Sequence, residues 1–356
     1  MLNLCITFDY ELWLDRIETG DYELLFEPTD KILEMLRQEG VKTTFFADVC
    51  SVMRHNDYGL KDYCERFSSQ LQKAARDGHD VQLHIHPSWK NCVYENGHWD
   101  MSYSGYCIQS YGFEPDKADS GYNIIRSGIE YLNNIIRPIN SDYKCIAYRA
   151  GGFCVKPEEE LMTALYENGI RIDSSVAIGQ KASEGEQIYD FSQRTYELDW
   201  CYRAGDKLES MAGNKPGYRV MQEIAIGYAK NNPFKFAGIP ASKLHVNGAP
   251  RTVISIGNNG FGEGLRESIY GIIRKAAGTG ILSLDTRGYR VLERDIRELY
   301  KTYRCDRKEH TVAIICHPKM ATDDTVENMR RFIRFVKSAD SLYSFMTMRD
   351  YYEKNF

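Results

Sequence analysis

The chain predicts an α/β fold, a parallel sheet with crossover helices, on three observations. Strand-like apolar runs alternate with helix-like stretches through the first 180 residues, and the alternation resumes after about residue 280. Charged or imidazole side chains also stand where strand after strand ends: Asp9 and Glu11, His84 and His86, Arg149, Asp173, His317. Contributions from the ends of several strands are expected of a barrel of alternating strands and helices.

Taken in order, residues 2–8 form the first strand. A helix follows at about 29–39, stopped by Gly40, and then a strand at 41–47. A second long helix, about 63–76, ends at Asp77-Gly78 and leads into a strand at 80–86. A Gly- and Tyr-rich loop at about 87–112 precedes a helix at 122–135 and a strand at 144–148. Pro157 suits the first position of the next helix and Gly169 its stop, with a strand at 170–173 directly after. From about 177 to 277 the pattern loosens into short runs with Gly and Pro, including 251–256 and the glycine loop 257–264; this stretch reads as an insertion or elaborated rim. A strand near 280–284 and a helix carrying Leu292, Ile296, Leu299, Tyr300 and Tyr303 on one face resume the alternation. A strand at 311–316 follows, then a helical stripe of Val326, Met329, Ile333 and Val336, with Asp324 and Glu327 placed like a capping pair. A last strand at 343–348 brings the count to seven or eight.

Composition bounds the function. The 356 residues carry 45 basic and 50 acidic side chains, with no run of like charges that would mark a nucleic-acid or membrane-surface patch, so neither partner is expected. No window approaches the roughly 18 consecutive apolar residues of a membrane span. None of the ten cysteines forms a CxxC pair, and several sit in apolar runs, which suits buried free thiols. The first strand leaves no room for a secretory signal ahead of it, and together with the thiols this sets the expectation of a cytoplasmic protein. The 25 tyrosines and four tryptophans suit a site that stacks on sugar faces, although core packing accounts for such rings as readily.

The chemistry lies at the strand ends. Residues i and i+2 on a strand point to one side, so His84 and His86 can present two imidazoles to one ion, and Asp9 and Glu11 can both reach it. Two histidines and a carboxylate with positions left for water make a catalytic metal shell. Singly each signal is weak. A histidine pair is often a satisfied or surface pair, Arg149 at a glycine-rich turn a structural ion pair, Asp173-Ser174-Ser175 a helix cap, and His317 a core-edge residue. The loop 257–264 lacks the lysine of a phosphate-binding loop and the spacing of a dinucleotide turn, so it is not read as a nucleotide site.

Their order along the chain resembles one family. Thr7-Phe8-Asp9, Thr44-Phe45-Phe46, Gly78-His79, His84-Ile85-His86-Pro87, Arg149-Ala150-Gly151-Gly152, Asp173-Ser174-Ser175 and the late His317 resemble the NodB-homology polysaccharide deacetylases, carbohydrate esterase family four. The resemblance covers about residues 1–178 and 280–350. It is nearest to the branch with an HxHP motif, associated with biosynthesis of cell-surface polysaccharides. It implies a single distorted (β/α)7-8 barrel over 1–356, with 177–277 as its insertion, and metal-dependent removal of acetyl groups from an N-acetylated sugar. Carried over residue by residue, Asp9 is the general base, Arg149 the arginine that steadies it, His317 the general acid and Asp173 the carboxylate that orients that acid. The family's metal aspartate falls on Tyr10, so Glu11 is the natural substitute. The second histidine of the majority spacing falls on Ser88, so His86 takes over beside His84. The proline expected soon after the arginine is absent.

Zinc is the first expectation for two imidazoles, with cobalt, nickel and manganese as alternatives. Tyr10, Trp13, Trp89, Gly152 and Phe153 are candidates to line a sugar cleft. A cytoplasmic location points to a precursor substrate, nucleotide-linked or lipid-linked. Three other readings stand beside this one: hydrolysis of another C–N bond on the same fold, a noncatalytic carbohydrate-binding relative that has lost metal, and a glycosidase using Asp9 with a second carboxylate.

Overall fold

The computed structural model describes residues 1–14, 17–102, 104–192, 197–208, 219–230, 279–285, 287–306 and 308–356. The run 251–256 and the glycine loop 257–264 lie outside them, as does most of the second half of 177–277. Nine strands form one sheet: β1 Leu2–Tyr10, β2 Thr44–Asp48, β3 Asp80–Ile85, β4 Ala147–Ala150, β5 Ile172–Asp173, β6 Asp199–Arg203, β7 Val220–Ile224, β8 His310–Cys316 and β9 Tyr343–Phe345. Their order is β6-β7-β5-β4-β3-β2-β1-β8, with β9 also on β1. Every pairing is parallel except that of β6 with β7.

The sheet curls until its ends nearly meet. Ile226, just past β7, bridges Ala177 on one side and Ala313 of β8 on the other, and Ser283 bridges Ile315 further along β8. The result is a distorted, nearly closed barrel. Residues 181–184 and 187–190 form a separate hairpin, whereas β6 and β7, from the loosely patterned segment, are members of the barrel sheet.

Helices cover the outside. These are α1 Glu23–Glu39, α2 Val49–Asp57, α3 Lys61–Arg76, α4 Gly121–Ile136, α5 Glu158–Glu167, α6 Tyr289–Tyr303, α7 Asp323–Lys337 and α8 Met348–Asn355. Helix α1 begins before Pro28, because Leu25 and Phe26 bury against the core and extend its apolar face by a turn and a half. Its stop is the expected one, with Gly40 left-handed at φ 61°. Helix α2 has no counterpart among the expected elements; it follows β2 with no breaking residue and buries Val49, Cys50, Val52 and His55. Helix α7 is capped by Thr322 and Thr325 rather than by Asp324 and Glu327, since the hydroxyl of Thr322 accepts the N–H of Thr325. The last strand ends at Phe345 because the Thr347 hydroxyl caps α8. All ten cysteines are free, Cys305 exposed. No helix among the described residues is long and apolar enough to cross a membrane.

The strand starts form one end of the barrel, and α8 docks there. Met348 donates its backbone N–H to Thr44 Oγ1 (3.0 Å), and Arg349 donates its own to Asp80 Oδ2 (3.1 Å). Burial pushes the Asp80 carboxyl up to about 6, against the lowering influence of Arg349 and of the Gln82 amide. A carboxyl raised on folding binds its proton more tightly in the native than in the unfolded chain, so it contributes a stability that declines as pH rises through that window. Measured against Asp80→Asn by urea unfolding, wild-type stability is expected to fall by up to about 3 kcal/mol between pH 3.8 and 6, then to level off.

Candidate metal centre and its acid–base residues

At the opposite end, where the strands finish, the side chains converge. Alternation along β1 and just past it sends Asp9 and Glu11 to the interior side and Tyr10 to the other. Tyr10 is fully buried beneath the helices, its ring 5.0 Å from Phe67 and its hydroxyl donating to Gln70 Oε1 (2.7 Å). It does not reach a cleft, which corrects its reading as a substrate residue.

Arg149, at 0% exposure, reaches from β4 across the interior. Its Nη1 donates to Asp9 Oδ1 (2.6 Å) and Thr7 Oγ1 (2.8 Å), its Nη2 to Ser174 Oγ (2.9 Å) and its Nε to the carbonyl of Ser174 (2.9 Å). The guanidinium lies 4.3 Å above the ring of Phe46. Asp9 is thereby held as an oriented carboxylate whose other oxygen faces His317 Nε2 at 3.7 Å.

Glu11 meets both expected histidines. Its Oε2 lies 3.0 Å from His84 Nε2 and 2.5 Å from His86 Nε2, all three residues buried. The ligand atoms of Glu11, His84 and His86 lie within 4.8 Å of one another. Burial alone works against a charged Glu11, but Lys319, His86 and His84 outweigh it and hold the carboxyl well below its ordinary range. His84 is raised to about 9: burial opposes its charge, and Asp9 and Glu11 overcome that.

The donor set fits a divalent cation on two further grounds. His84 donates Nδ1–H to the carbonyl of Arg149 (2.8 Å), which leaves Nε2 as the ligand atom, the usual support of a metal-bound histidine. The ring of His86 packs on Gly151, where an added Cβ would stand 2.7 Å from Nδ1, so the glycine admits the second imidazole. His86 Nδ1 is buried without a hydrogen-bond partner, and so is Oδ2 of Asp48, whose Oδ1 accepts the His86 backbone N–H (3.1 Å).

His317 takes its carboxylate from Asp285, not Asp173. Asp285 Oδ2 accepts from His317 Nδ1 (2.7 Å) and Oδ1 from the His317 backbone N–H (2.8 Å). Burial lowers the histidine, but Asp285, then Asp9 and Glu11, raise it above its ordinary value. Asp173 faces away: Oδ1 accepts from Ser175 Oγ (2.5 Å), and burial raises its carboxyl beside Glu223. Its expected role as the acid's orienting carboxylate is corrected accordingly. Asp285 was legible in principle, since it follows Leu284 at the end of the expected 280–284 strand, where the other site residues also sit. Lys319 was also missed. It reaches back from the turn Pro318–Met320 to donate to Glu11 Oε1 (2.8 Å).

The remaining candidates divide. Trp89 is fully buried, 5.4 Å from the ring centroids of both His55 and Trp99, so it packs the interior and lines no cleft. Trp13 is half-buried, with Lys319 Nζ 4.8 Å from its ring centre. Gly152 and Phe153 are half-buried on a turn with left-handed backbone at both (φ 58° and 61°), and a Cβ on Gly152 would meet the ring of Tyr106 at 2.6 Å. Tyr106, not singled out in the sequence, thus joins them at the rim.

Comparison with known proteins gives the fold a name. No protein-family model matches the chain, and no curated protein matches it. Among solved structures, a Mycobacterium smegmatis protein described as a candidate polysaccharide deacetylase superposes with a TM-score of 0.50 at 14% identity, covering 99% of this chain and 89% of its own. The Puue allantoinase gives the same TM-score at 11% identity, over 98% and 88%. The chain has the polysaccharide deacetylase fold. At these identities the likeness carries architecture, and an allantoinase shares it, so the chemistry has to be argued from the site.

Because Asp285 contributes most to raising His317, Asp285→Asn is expected to lower the His317 pKa, and Asp173→Asn to leave it in place. Nitrogen-detected NMR titration of the histidine rings checks this.

Proposed function

We propose that the protein is a metal-dependent N-deacetylase of an acetamido sugar, on the plan of the NodB-homology family. The observation that carries the reading is the juxtaposition at the strand ends: Asp9, steadied by Arg149, and His317, steadied by Asp285, stand 3.7 Å apart beside Glu11, His84 and His86.

Glu11, His84 and His86 would hold the cation, with zinc first and cobalt, nickel or manganese as alternatives. When bound, a divalent ion polarises an amide carbonyl and lowers the pKa of water from 15.7 towards about 7. The chain's own residues account for the proton movements. Asp9 accepts the proton of the attacking water, aimed by the Arg149 guanidinium. His317, kept charged by Asp285, donates Nε2–H to the departing amine nitrogen. Backbone N–H groups of the Gly152–Phe153 turn are the donors we assign to the negative charge developing on the carbonyl oxygen. Base and acid are thus held by different partners, an arrangement suited to amide hydrolysis.

The substrate class we assign is an acetamido sugar, with nucleotide-linked and lipid-linked forms the first to be tried. The allantoinase that shares the fold makes a cyclic amide the comparison substrate. Mass-spectrometric detection of acetate release from nucleotide-linked acetamido sugars, run beside cyclic amides, tests the assignment. Ring opening without acetate release would replace it with the amidohydrolase reading.

With an active substrate in hand, Asp9→Asn and His317→Ala are expected to lower kcat by on the order of 10² to 10⁴. Glu11→Ala and His84→Ala are expected to lose metal first, read by elemental analysis. Full occupancy in Glu11→Ala would remove that residue from the ligand set.

A further inference from the structure

The two carboxylates at the end of β1 each have a cation. Asp9 has Arg149, and Glu11 has Lys319. The second pair is the unexpected one, because a carboxylate meant for a metal is ordinarily left for the metal to neutralise.

The lysine is buried at 8% exposure, and its ammonium is tied to the chain's own groups. Nζ donates to Glu11 Oε1 (2.8 Å) and to the carbonyl of Leu12 (3.0 Å), and lies 4.8 Å from the centre of the Trp13 ring. Two of its three donors are thus committed to the chain itself. Its effect falls on Glu11. One oxygen, Oε1, is occupied by Lys319, and the other, Oε2, faces His84 and His86 at 3.0 and 2.5 Å. His317 Nε2 is 3.7 Å from Oε1, on the lysine side.

We infer that Lys319 is a positioning residue that serves as a built-in counter-ion for Glu11, fixing the carboxylate with one oxygen towards the two histidines before any cation arrives. The inference rests on the metal reading above. Removing one member of a buried ion pair leaves the other charge uncompensated, which is strongly destabilising. In the metal-free chain Lys319 supplies a fixed share of that compensation beside the two histidines, so the centre can lose and regain its cation without disturbing the strand ends. The carboxylate is also held to one oxygen on the histidine side, because the other is already taken.

The test compares chelator-stripped and zinc-saturated protein in thermal unfolding. Stripped Lys319→Met is expected to melt lower than stripped wild type by on the order of 5 °C. Saturating zinc should raise Lys319→Met by more than it raises wild type, because the ion supplies the missing charge. In a Glu11→Gln background the same lysine substitution should cost less than half as much. Equal melting of stripped wild type and Lys319→Met overturns the inference. So does an undiminished loss in the Glu11→Gln background, which would place the lysine's contribution in Leu12 and Trp13. Should Lys319→Met not fold, Lys319→Arg decides: retention of wild-type stripped stability supports the counter-ion role, and a large loss refutes it. Failure of wild type to take up zinc, read by elemental analysis, would sink the metal reading alone, since the comparison of stripped proteins needs no metal.

Discussion

The centre depends on a guanidinium that has no contact with solvent. An unpaired Arg149 at 0% exposure would cost several kcal/mol, so the fold surrounds it with acceptors from three residues in two places: Thr7 and Asp9 on β1, and Ser174 in the turn after β5. Strands β5 and β4 are neighbours, but β1 is three places further along the sheet. A single side chain therefore ties one wall of the barrel to the other across its interior. The same residue's carbonyl accepts from His84 Nδ1. The orientation of the proposed base and of a proposed metal ligand both hang from Arg149, one through its side chain and one through its backbone.

Behind the arginine lies a second polar layer. Ser174 can serve Arg149 because its turn is held at both ends. The Ser175 hydroxyl accepts the Ala150 N–H (2.8 Å) and donates to Asp173, and Glu223 Oε1 accepts the Val176 N–H (2.9 Å). Burial raises the carboxyls of both Asp173 and Glu223, each further raised or tempered by the other, which favours a shared proton over two charges in the barrel interior. Asp173 thus bears on the site through the turn that positions Arg149. Its place in the Asp173-Ser174-Ser175 motif has a structural explanation independent of any acid.

The residues legible in the sequence were those whose signal is local. Asp9, His84, His86, Arg149 and His317 each close a regular strand, and an apolar run that breaks into a polar group marks them. Asp285 lies just past a short strand, Thr279–Ile281, after a hundred loosely patterned residues, and nothing local says which of two aspartates will meet His317. Only the bridging of Ser283 with Ile315 brings it there. Tyr10 shows the opposite failure. Period-two alternation sets it on the far side from Asp9 and Glu11, and position next to a motif is no substitute for that geometry. Trp89 lies within reach of the site along the chain, yet the helical turn Pro87–Asn91 tucks it inward against Trp99. Lys319 looks like an ordinary surface lysine until the turn Pro318–Met320 brings it back to Glu11, a contact 308 residues apart in sequence.

The absent proline after the arginine motif has an answer of the same non-local kind. A proline would fix the backbone of the Gly151–Phe153 turn from within. In its place the turn is clamped from outside, with Gln187 Nε2 donating to the carbonyl of Gly152 (3.0 Å) and Gln109 Nε2 to that of Cys154 (3.1 Å). Gln187 belongs to the 187–190 hairpin strand, and the Tyr106 N–H is held in turn by Glu186 (2.7 Å). The rim of the centre is therefore built by segments outside the regular strand–helix alternation. The two glycines remain necessary for a separate reason, because a side chain at Gly151 would collide with the ring of His86 and one at Gly152 with Tyr106. The glycines of the motif leave space for an imidazole, and the hairpin supplies the stiffness that the missing ring would have given.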